Sequence, residues 1–319
     1  MKFRTEIEPM RLAATSGYEY RILTLGSCFA EHIAGQLAAA KFRVVSNPTG
    51  ILFNPLSVVA ALRGYAAPVR REELHTDGER WFHYGFHGDF SDRDPDAALR
   101  RMNEAREAGV AALAAADRVI VTFGTAWVYE RQGEVVANCH RRPAAEFVRR
   151  RLTVGEIVEA VAGAVEGALA GKRIILTVSP VRHLGDGLAG NALSKAVLRL
   201  AAEELAARCG EVEYFPAFEI LTDDLRDYRF YADDLVHPAP QAVAYIREKF
   251  FGAALSAGAR QLLPEVEAVV AAAAHRPRDP RSEAHRSLCR RMLERIAALP
   301  EVDFSVESAY FRRCIEINS

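Results

Sequence analysis

The sequence predicts an α/β protein built on an open parallel sheet with helices on both faces. Short apolar runs alternate with helical stretches over most of the chain, which is typical of repeated strand–helix–strand units. Five runs are predicted as buried parallel strands, at residues 21–25, 42–46, 119–123, 174–178 and 212–215. Turns that contain glycine, serine or threonine follow the first four runs, at the sheet edge where such folds bind ligands.

Helical patterns occupy the segments between these strands, at residues 31–40, 96–116, 154–169, 192–208 and 241–255. Thr153 and Glu156 form a capping box at the start of the third of these helices. Two segments break the alternation. The aromatic-rich segment 65–95 predicts an inserted hairpin or lid, and residues 130–138 predict a second hairpin that turns at Gln132-Gly133.

The chain of 319 residues is long enough for one large α/β domain with additions. We expect the sheet domain to cover residues 1–258, with its insertion at about 65–95. Residues 259–319 are helical and rich in arginine. They are predicted to form an extension that packs on the main domain or on a second subunit of a homo-oligomer.

Charge and cysteine usage narrow the class of protein. The 41 Lys and Arg residues balance 42 Asp and Glu residues, so the net charge of −1 predicts neither a nucleic-acid nor a membrane partner. The first residues lack the apolar core of a signal peptide. The cysteines are scattered and without C-x-x-C spacing, which predicts no disulfide or zinc site and a cytoplasmic location. They are Cys28, Cys139, Cys209, Cys289 and Cys314.

The turn Gly26-Ser27 carries the chemistry we consider first. A strand that turns sharply into a helix holds the Ser27 hydroxyl at the sheet edge, beside free N–H groups and the positive end of the helix dipole. That position suits a nucleophile whose reaction builds negative charge on oxygen. Far downstream, His237 offers a base and Asp234 an acid to orient it. The order Ser, Asp, His occurs in other α/β hydrolases, although the G-x-S-x-G motif is absent.

The neighbouring thiol is the alternative nucleophile. Cys28 at a helix N-terminus would have a lowered pKa. If the turn directs Ser27 outward, however, Cys28 is expected to point into the fold as a small apolar residue.

Arg182 and His183 follow the fourth strand and are expected to contact an anionic or polyhydroxylated substrate. Ser194 and Lys195 diverge on a helix, so packing and surface charge are their expected roles.

The segment 81–90 also admits a metal hypothesis. His83 and His87 would share a face with Asp89 only on a helix, and the glycines between them argue against one. The sequence therefore predicts no metal and no cofactor. An aromatic lid over a sugar or acyl group and the packing of an insertion both remain open for this segment.

The motif at residues 26–30 resembles that of the GSCFA family, within the wider SGNH (GDSL-type) hydrolase superfamily. The resemblance covers most of residues 20–255. It rests on further stretches at residues 47–55, 124–129, 138–140, 179–182, 194–196 and 233–238. It implies a flavodoxin-like three-layer fold and esterase or related acyl-hydrolase chemistry.

The superfamily's four landmarks are a Ser, a Gly, an Asn and a His, and three of them have counterparts here. Ser27, Gly50 and His237 match the serine, the glycine and the histidine. The third block departs, because residues 124–127 read Gly-Thr-Ala-Trp where the superfamily has G-x-N-D.

The usual oxyanion asparagine is therefore missing from its place. Asn138 or Thr125 is expected to replace it, beside the N–H groups of Ser27 and Gly50. Losing one such donor costs about a hundred- to a thousandfold in rate, so the substitute matters.

Three hypotheses for function follow. The first is a serine esterase that removes an acetyl or other short acyl group from a glycan or small metabolite, or transfers it with the same residues. The second is a catalytically weakened protein that binds a glycan or acyl ligand. A nucleotide-binding domain is the third, and the absence of G-x-G-x-x-G and of a P-loop disfavours it.

Overall fold

The computed structural model describes residues 4–316. Its strands are β1 (Arg21–Gly26), β2 (Arg43–Ser46), β3 (His75–Thr76), β4 (Trp81–Phe82), β5 (Arg118–Phe123), β6 (Trp127–Arg131), β7 (Glu134–Val136), β8 (Val148–Arg151), β9 (Arg173–Val178) and β10 (Val212–Phe215). Its helices are α1 (Cys28–Ala39), α2 (Pro55–Gly64), α3 (Pro95–Ala115), α4 (Val154–Glu166), α5 (Gly187–Arg208), α6 (Ala217–Glu219), α7 (Pro240–Ala254), α8 (Ala257–Ala274), α9 (Glu283–Ala297) and α10 (Ser305–Glu316).

The central sheet has five parallel strands in the order β10-β9-β5-β1-β2. Numbered along the chain, that order is 2-1-3-4-5, the doubly wound order of flavodoxin-like folds. The predicted α/β fold class is confirmed, and all five predicted central strands are present. The strand order reverses between β1 and β5, so a ligand crevice is expected beyond the carboxyl ends of these two strands.

The sheet separates two hydrophobic cores. In β1, β5 and β9 every residue except the first is buried, so they read as apolar runs rather than as alternating patterns. Successive side chains still point to opposite faces. Ile22 packs in the core beside α1 and α7, whereas Leu23 packs in the core beside α2, α4 and α5.

The predicted hairpin at residues 130–138 is present as β6 and β7. Its turn residues Gln132 and Gly133 both have positive φ, 54° and 84°, as a two-residue type I′ turn requires. β8 pairs antiparallel with the other side of β6 and completes a second, three-stranded sheet that the sequence did not predict. The insertion at 65–95 contains the short antiparallel pair β3–β4.

The helices α8, α9 and α10 contribute to the same core as α1 and α7. Val266, Met292 and Phe311 belong to one buried cluster with Phe29. An ion pair between Lys41 and Glu307, with Nζ and Oε2 2.9 Å apart, also ties α10 to the sheet domain. The proposed division at residue 258 falls within α8 and stays a prediction, as does a homo-oligomer. Within residues 4–316, no helix is long and apolar enough to cross a membrane.

Candidate active site

The turn after β1 depends on a glycine. Gly26 has φ of +127°, and a Cβ there would lie 2.1 Å from the carbonyl oxygen of Thr122 on β5. Its N–H donates to Oδ1 of Asn47 at 2.8 Å, so the segment after β2 holds the turn from the other side. This geometry brings β1 close to β5 and starts α1 two residues later.

Ser27 precedes α1 as its N-cap residue. It has extended backbone, and its side chain makes no capping hydrogen bond. Its N–H donates to the carbonyl oxygen of Thr122 at 3.1 Å. Its hydroxyl is buried and, within the described chain, has no hydrogen-bond partner. The sequence prediction placed Ser27 at this edge correctly, but nothing in the described structure orients the hydroxyl for attack.

Cys28 is the first residue of α1 and faces the candidate base. Its Sγ lies 3.9 Å from Nε2 of His237, and the half-buried side chain lines the main cavity. The expectation that Cys28 points into the fold is therefore wrong. Burial raises the pKa of the Cys28 thiol above its ordinary value. The thiol is consequently protonated at neutral pH and needs a base in order to react.

Asp234 and His237 form the pair that the sequence predicted. Oδ2 of Asp234 lies 2.6 Å from Nδ1 of His237, and Oδ1 accepts from the N–H groups of Val236 and His237 at 2.9 Å each. These hydrogen bonds lower the pKa of Asp234 to about 2, and the largest effect comes from the backbone N–H of His237. The carboxylate therefore fixes a proton on Nδ1, which leaves Nε2 to accept a proton from Cys28.

Arg182 holds the loop that contains His237 through two hydrogen bonds. Its backbone N–H donates to the carbonyl oxygen of Val236 at 3.1 Å, and Nη1 donates to that of Leu235 at 3.3 Å. Its guanidinium carbon lies 3.9 Å from the ring centroid of Tyr231. Arg182 also lines the main cavity, as expected from its place after β9.

The main cavity has a volume of about 500 Å³. Apolar and aromatic side chains form most of its lining, with Trp127 and Tyr129 from β6 and Phe147 just before β8. Arg149 on β8 extends over the Trp127 ring, with its guanidinium carbon 4.3 Å from the ring centroid. A pocket of this size and lining is typical of small-molecule sites. Because β8 was not predicted from the sequence, this side of the cavity was not predicted either.

His183 lines the same cavity, as the sequence predicted, and belongs to a charged group at its edge. Its Nε2 lies 3.1 Å from Oδ2 of Asp186, which also forms an ion pair with Arg149. These contacts place charged side chains beside a largely apolar pocket.

Gly50 does not lie where an oxyanion donor is needed. It is not among the residues that line the main cavity, and its N–H donates to the carbonyl oxygen of Asn47 at 2.8 Å. Its φ is +91°, and a Cβ there would lie 2.3 Å from Cβ of His87. Gly50 is therefore required by the turn and by the close approach of the insertion.

Thr125 and Asn138 both line the cavity, but their hydrogen bonds differ. The N–H of Thr125 donates to the carbonyl oxygen of Phe53 at 2.9 Å, and its Oγ1 lies 3.1 Å from Oγ of Ser194. Asn138 uses Oδ1 to accept from the N–H of His140 at 2.8 Å, which leaves Nδ2 as its donor to a ligand. Of the two expected substitutes, Asn138 is the one whose side-chain donor has no hydrogen-bond acceptor among the described residues.

For Lys195, the expected surface charge is wrong, because the side chain is buried. It is 1% exposed, and Nζ donates to the carbonyl oxygens of Gly124 and Ser179 at 2.7 Å each. It therefore joins the segments that follow β5 and β9, beneath the site. Burial lowers the pKa of Lys195 from 10.5 to about 7, against a smaller opposing effect of Cys28.

The aromatic segment packs against neighbouring elements of the fold instead of covering the main cavity. Phe82 and Phe86 are buried, and the ring of Phe82 stacks on His140 with centroids 4.3 Å apart. Neither phenylalanine lines the main cavity. His83 and His87 lie on a loop and in the cap of a short 3₁₀ turn, not together on a helix face.

These features define a doubly wound α/β protein with a thiol, an imidazole and a carboxylate in line at its switch point. The sequence matches the model of the GSCFA family over residues 21–250, and the chain belongs to that family. Residues 266–317 match a second model, described as the C-terminal domain of GSCFA domain proteins. No curated protein matches the chain.

Among solved structures, the chain has a distant likeness to one described as "a putative platelet activating factor from Streptococcus pneumonia". The two are 14% identical, the match covers 73% of this chain and 83% of the other, and the TM-score is 0.38. A likeness at that level carries no inference about function.

Proposed function

We propose that this protein is an acyl hydrolase related to the SGNH type, with Cys28 rather than Ser27 as its nucleophile, or an acyltransferase with the same residues. The observation that carries the proposal is the line from Cys28 Sγ through the His237 ring to Asp234, beside a cavity of about 500 Å³. A nucleophile, a base within reach of it and a group that orients the base are the recurring parts of acyl-transfer sites.

Cys28 is the nucleophile that the geometry favours. His237 Nε2 lies 3.9 Å from Sγ, whereas the buried Ser27 hydroxyl has no hydrogen-bond partner among residues 4–316. A thiol with a raised pKa is deprotonated by the imidazole as it attacks, rather than in advance. Ser27 remains the alternative nucleophile, because its unpaired hydroxyl lies on the same turn.

The reaction proceeds in two halves. Sγ attacks the carbonyl carbon of an ester while His237 Nε2 takes the thiol proton, and the tetrahedral oxyanion then expels the alcohol, which receives that proton. The acyl group is left on Cys28 as a thioester. Water, or the hydroxyl of an acceptor, attacks the thioester with His237 again as base, which releases the acid or the transferred ester and regenerates the thiol.

Backbone N–H groups at the start of α1 would hold the oxyanion. The first N–H groups of a helix have no intrahelical acceptor, which leaves those of Cys28 and Phe29 for the substrate oxygen. Nδ2 of Asn138 is the third donor in this proposal. The N–H groups of Ser27 and Gly50 are replaced in that role, because both already donate to carbonyl oxygens.

The cavity favours a small ester with a short acyl group, carried by a glycan or a metabolite. Its volume lies within the range of about 300–1,000 Å³ found for small-molecule sites. Arg142, Arg182 and His183 line it and suit a polyhydroxylated or anionic alcohol portion. None of the five cysteines is joined in a disulfide within the described residues, which fits a reducing compartment such as the cytoplasm.

Covalent labelling tests the nucleophile. The native protein would be treated with iodoacetamide or with a fluorophosphonate, and the modified peptides mapped by mass spectrometry. We expect alkylation of Cys28 that H237A slows and C28A abolishes. Cys139 lines the same cavity without a contact to His237 in the described structure, so C139S is the matched control and should leave the Cys28 adduct unchanged.

Two other results have clear meanings. A fluorophosphonate adduct on Ser27 that depends on His237 would keep the acyl hydrolase and change its nucleophile. A folded protein that forms no His237-dependent adduct at either residue would contradict the enzyme and favour a binding protein.

A further inference from the structure

A second group of reactive side chains lies in the C-terminal helices, apart from the site above. His285 and Cys289 are on α9, and Cys314 is on α10. Nε2 of His285 lies 3.7 Å from Sγ of Cys289, and the three ligand atoms all lie within 4.8 Å of one another. Among the residues that the structure describes, no other group of three or more histidine, cysteine or carboxylate ligands is this compact.

The local sequence explains how two of the ligands meet. His285 and Cys289 are four residues apart, so they share one face of α9. Ser282 begins the helix by accepting from the N–H of His285 at 3.3 Å, which fixes the first turn. Cys314 reaches the same point because α10 packs against α9.

We propose that these three side chains bind a thiophilic metal ion, with Zn²⁺ as the expected occupant. Two thiolates and one imidazole form a donor set that zinc prefers, and tetrahedral zinc has Zn–S and Zn–N bonds of about 2.3 and 2.0 Å. Those lengths put sulfur and nitrogen about 3.5 Å apart. The 3.7 Å between Cys289 and His285 therefore needs little adjustment.

The proposed metal site is buried within the fold. Cys289 is 0% exposed and His285 is 6% exposed, in the core that joins α9 and α10 to α1. A groove lined by His275, Asp279, Ser282 and His285 opens beside the histidine and gives the ion a way in. Three protein ligands leave one tetrahedral position, which a water molecule from this groove would fill.

The metal content of the full chain is the first test. The protein would be produced without a histidine tag, and zinc would be measured by inductively coupled plasma mass spectrometry. We expect about one zinc per chain in the wild type, and a loss of most of it in H285A and C314S. C209S and C28A, which change thiols outside the group, should keep the full content.

Cobalt binding keeps the test independent of folding yield. Apoprotein titrated with Co²⁺ should develop thiolate-to-cobalt charge-transfer absorption that saturates at one ion per chain and that C314S removes. Three results would overturn the proposal. They are wild-type protein that binds neither zinc nor cobalt, binding that H285A and C314S leave intact, and a Cys289–Cys314 disulfide in freshly purified protein.

Discussion

Two neighbouring residues, Ser27 and Cys28, line the same cavity but differ in their contacts. The extended backbone of Ser27 buries its hydroxyl, whereas the first helical residue directs its thiol toward His237. A change of one residue along the chain thus decides which group meets the base. In the mechanism proposed above, Cys28 forms the acyl-enzyme and Ser27 supports the turn.

Alanine variants at the two positions should separate these roles. We expect C28A to lose esterase activity by about a thousandfold or more, because it removes the nucleophile. S27A should keep most of the activity, since its hydroxyl makes no hydrogen bond in the described structure. Initial rates on p-nitrophenyl acetate would measure both, with circular dichroism as the control for folding. The reverse order of the two losses would assign the reaction to Ser27.

The pH dependence of alkylation reports on the Cys28 thiol. Its pKa is raised by burial, so the neutral thiol persists at pH values where a free cysteine has ionised. The rate of iodoacetamide attack on Cys28 should therefore keep rising above about pH 8.5, the ordinary thiol pKa. Rates would be followed by peptide mapping in a C139S background. A plateau below pH 7 would instead indicate a preformed thiolate–imidazolium pair.

Asp234 should matter for catalysis far more than for stability. Its side chain and that of His237 are 49% and 44% exposed, but the carboxylate fixes the imidazole tautomer. We expect D234N to lower kcat by about 10³–10⁴-fold, with KM and Tm nearly unchanged. Because the pKa of Asp234 is about 2, the carboxylate stays ionised throughout the pH range in which activity is measured. A large fall in Tm would assign Asp234 a structural role instead.

At the scale of elements, Lys195 connects the segments that follow the paired strands β5 and β9. The ammonium on α5 donates to the carbonyl oxygens of Gly124 and Ser179. Replacing it by methionine leaves both oxygens without that donor, at a cost of about 1–3 kcal/mol for a buried polar group. The segments that follow β5 and β9, at the carboxyl edge of the sheet near Cys28, would lose these two hydrogen bonds.

The same lysine gives a pH-dependent stability. Its pKa falls from 10.5 to about 7 on folding, so between these values the unfolded chain binds the proton and the native protein does not. The free energy of unfolding of the wild type, relative to K195M, should therefore rise as pH increases from about 7 toward 10.5. Urea denaturation of both proteins across that range would measure the difference. A difference that is constant or falls with pH would contradict a lowered pKa.

The sequence predicted elements well where burial dictates composition. β1, β5 and β9 are buried on both faces, so each is an apolar run that a short window detects. β8 was missed because three of its four residues are arginines on a partly exposed strand. Arg149 belongs in that strand because its side chain covers the Trp127 ring, a contact that no local pattern reveals.

The candidate site was predicted in part for the same reason. The Asp234–His237 pair is local, since three residues and one turn bring the two side chains together. The contact between His237 and Cys28 joins residues 209 positions apart. It depends on how the loop before α7 packs against the start of α1. Likewise, the four-residue spacing of His285 and Cys289 is visible in the sequence, but their meeting with Cys314 requires the packing of α9 on α10.

At the scale of the whole molecule, the doubly wound order explains where these groups converge. The reversal between β1 and β5 opens a crevice at their carboxyl ends, and the turns after β1, β5 and β9 all line it. The antiparallel sheet β7-β6-β8 lines one side of the cavity. The C-terminal helices complete the hydrophobic core that contains α1. The cavity, the nucleophile and the base therefore come from distant parts of one fold.

Trapping the acyl-enzyme tests the central claim most directly. Native protein would be mixed with p-nitrophenyl acetate, quenched in acid within seconds and digested for mass spectrometry, with C28A, S27A and C139S treated alongside. We expect an acetyl group on Cys28 in the wild type, S27A and C139S, and none at this turn in C28A. Wild-type protein that stays unacetylated at Cys28, whether the acetyl group is on Ser27 or absent, would contradict Cys28 as the nucleophile.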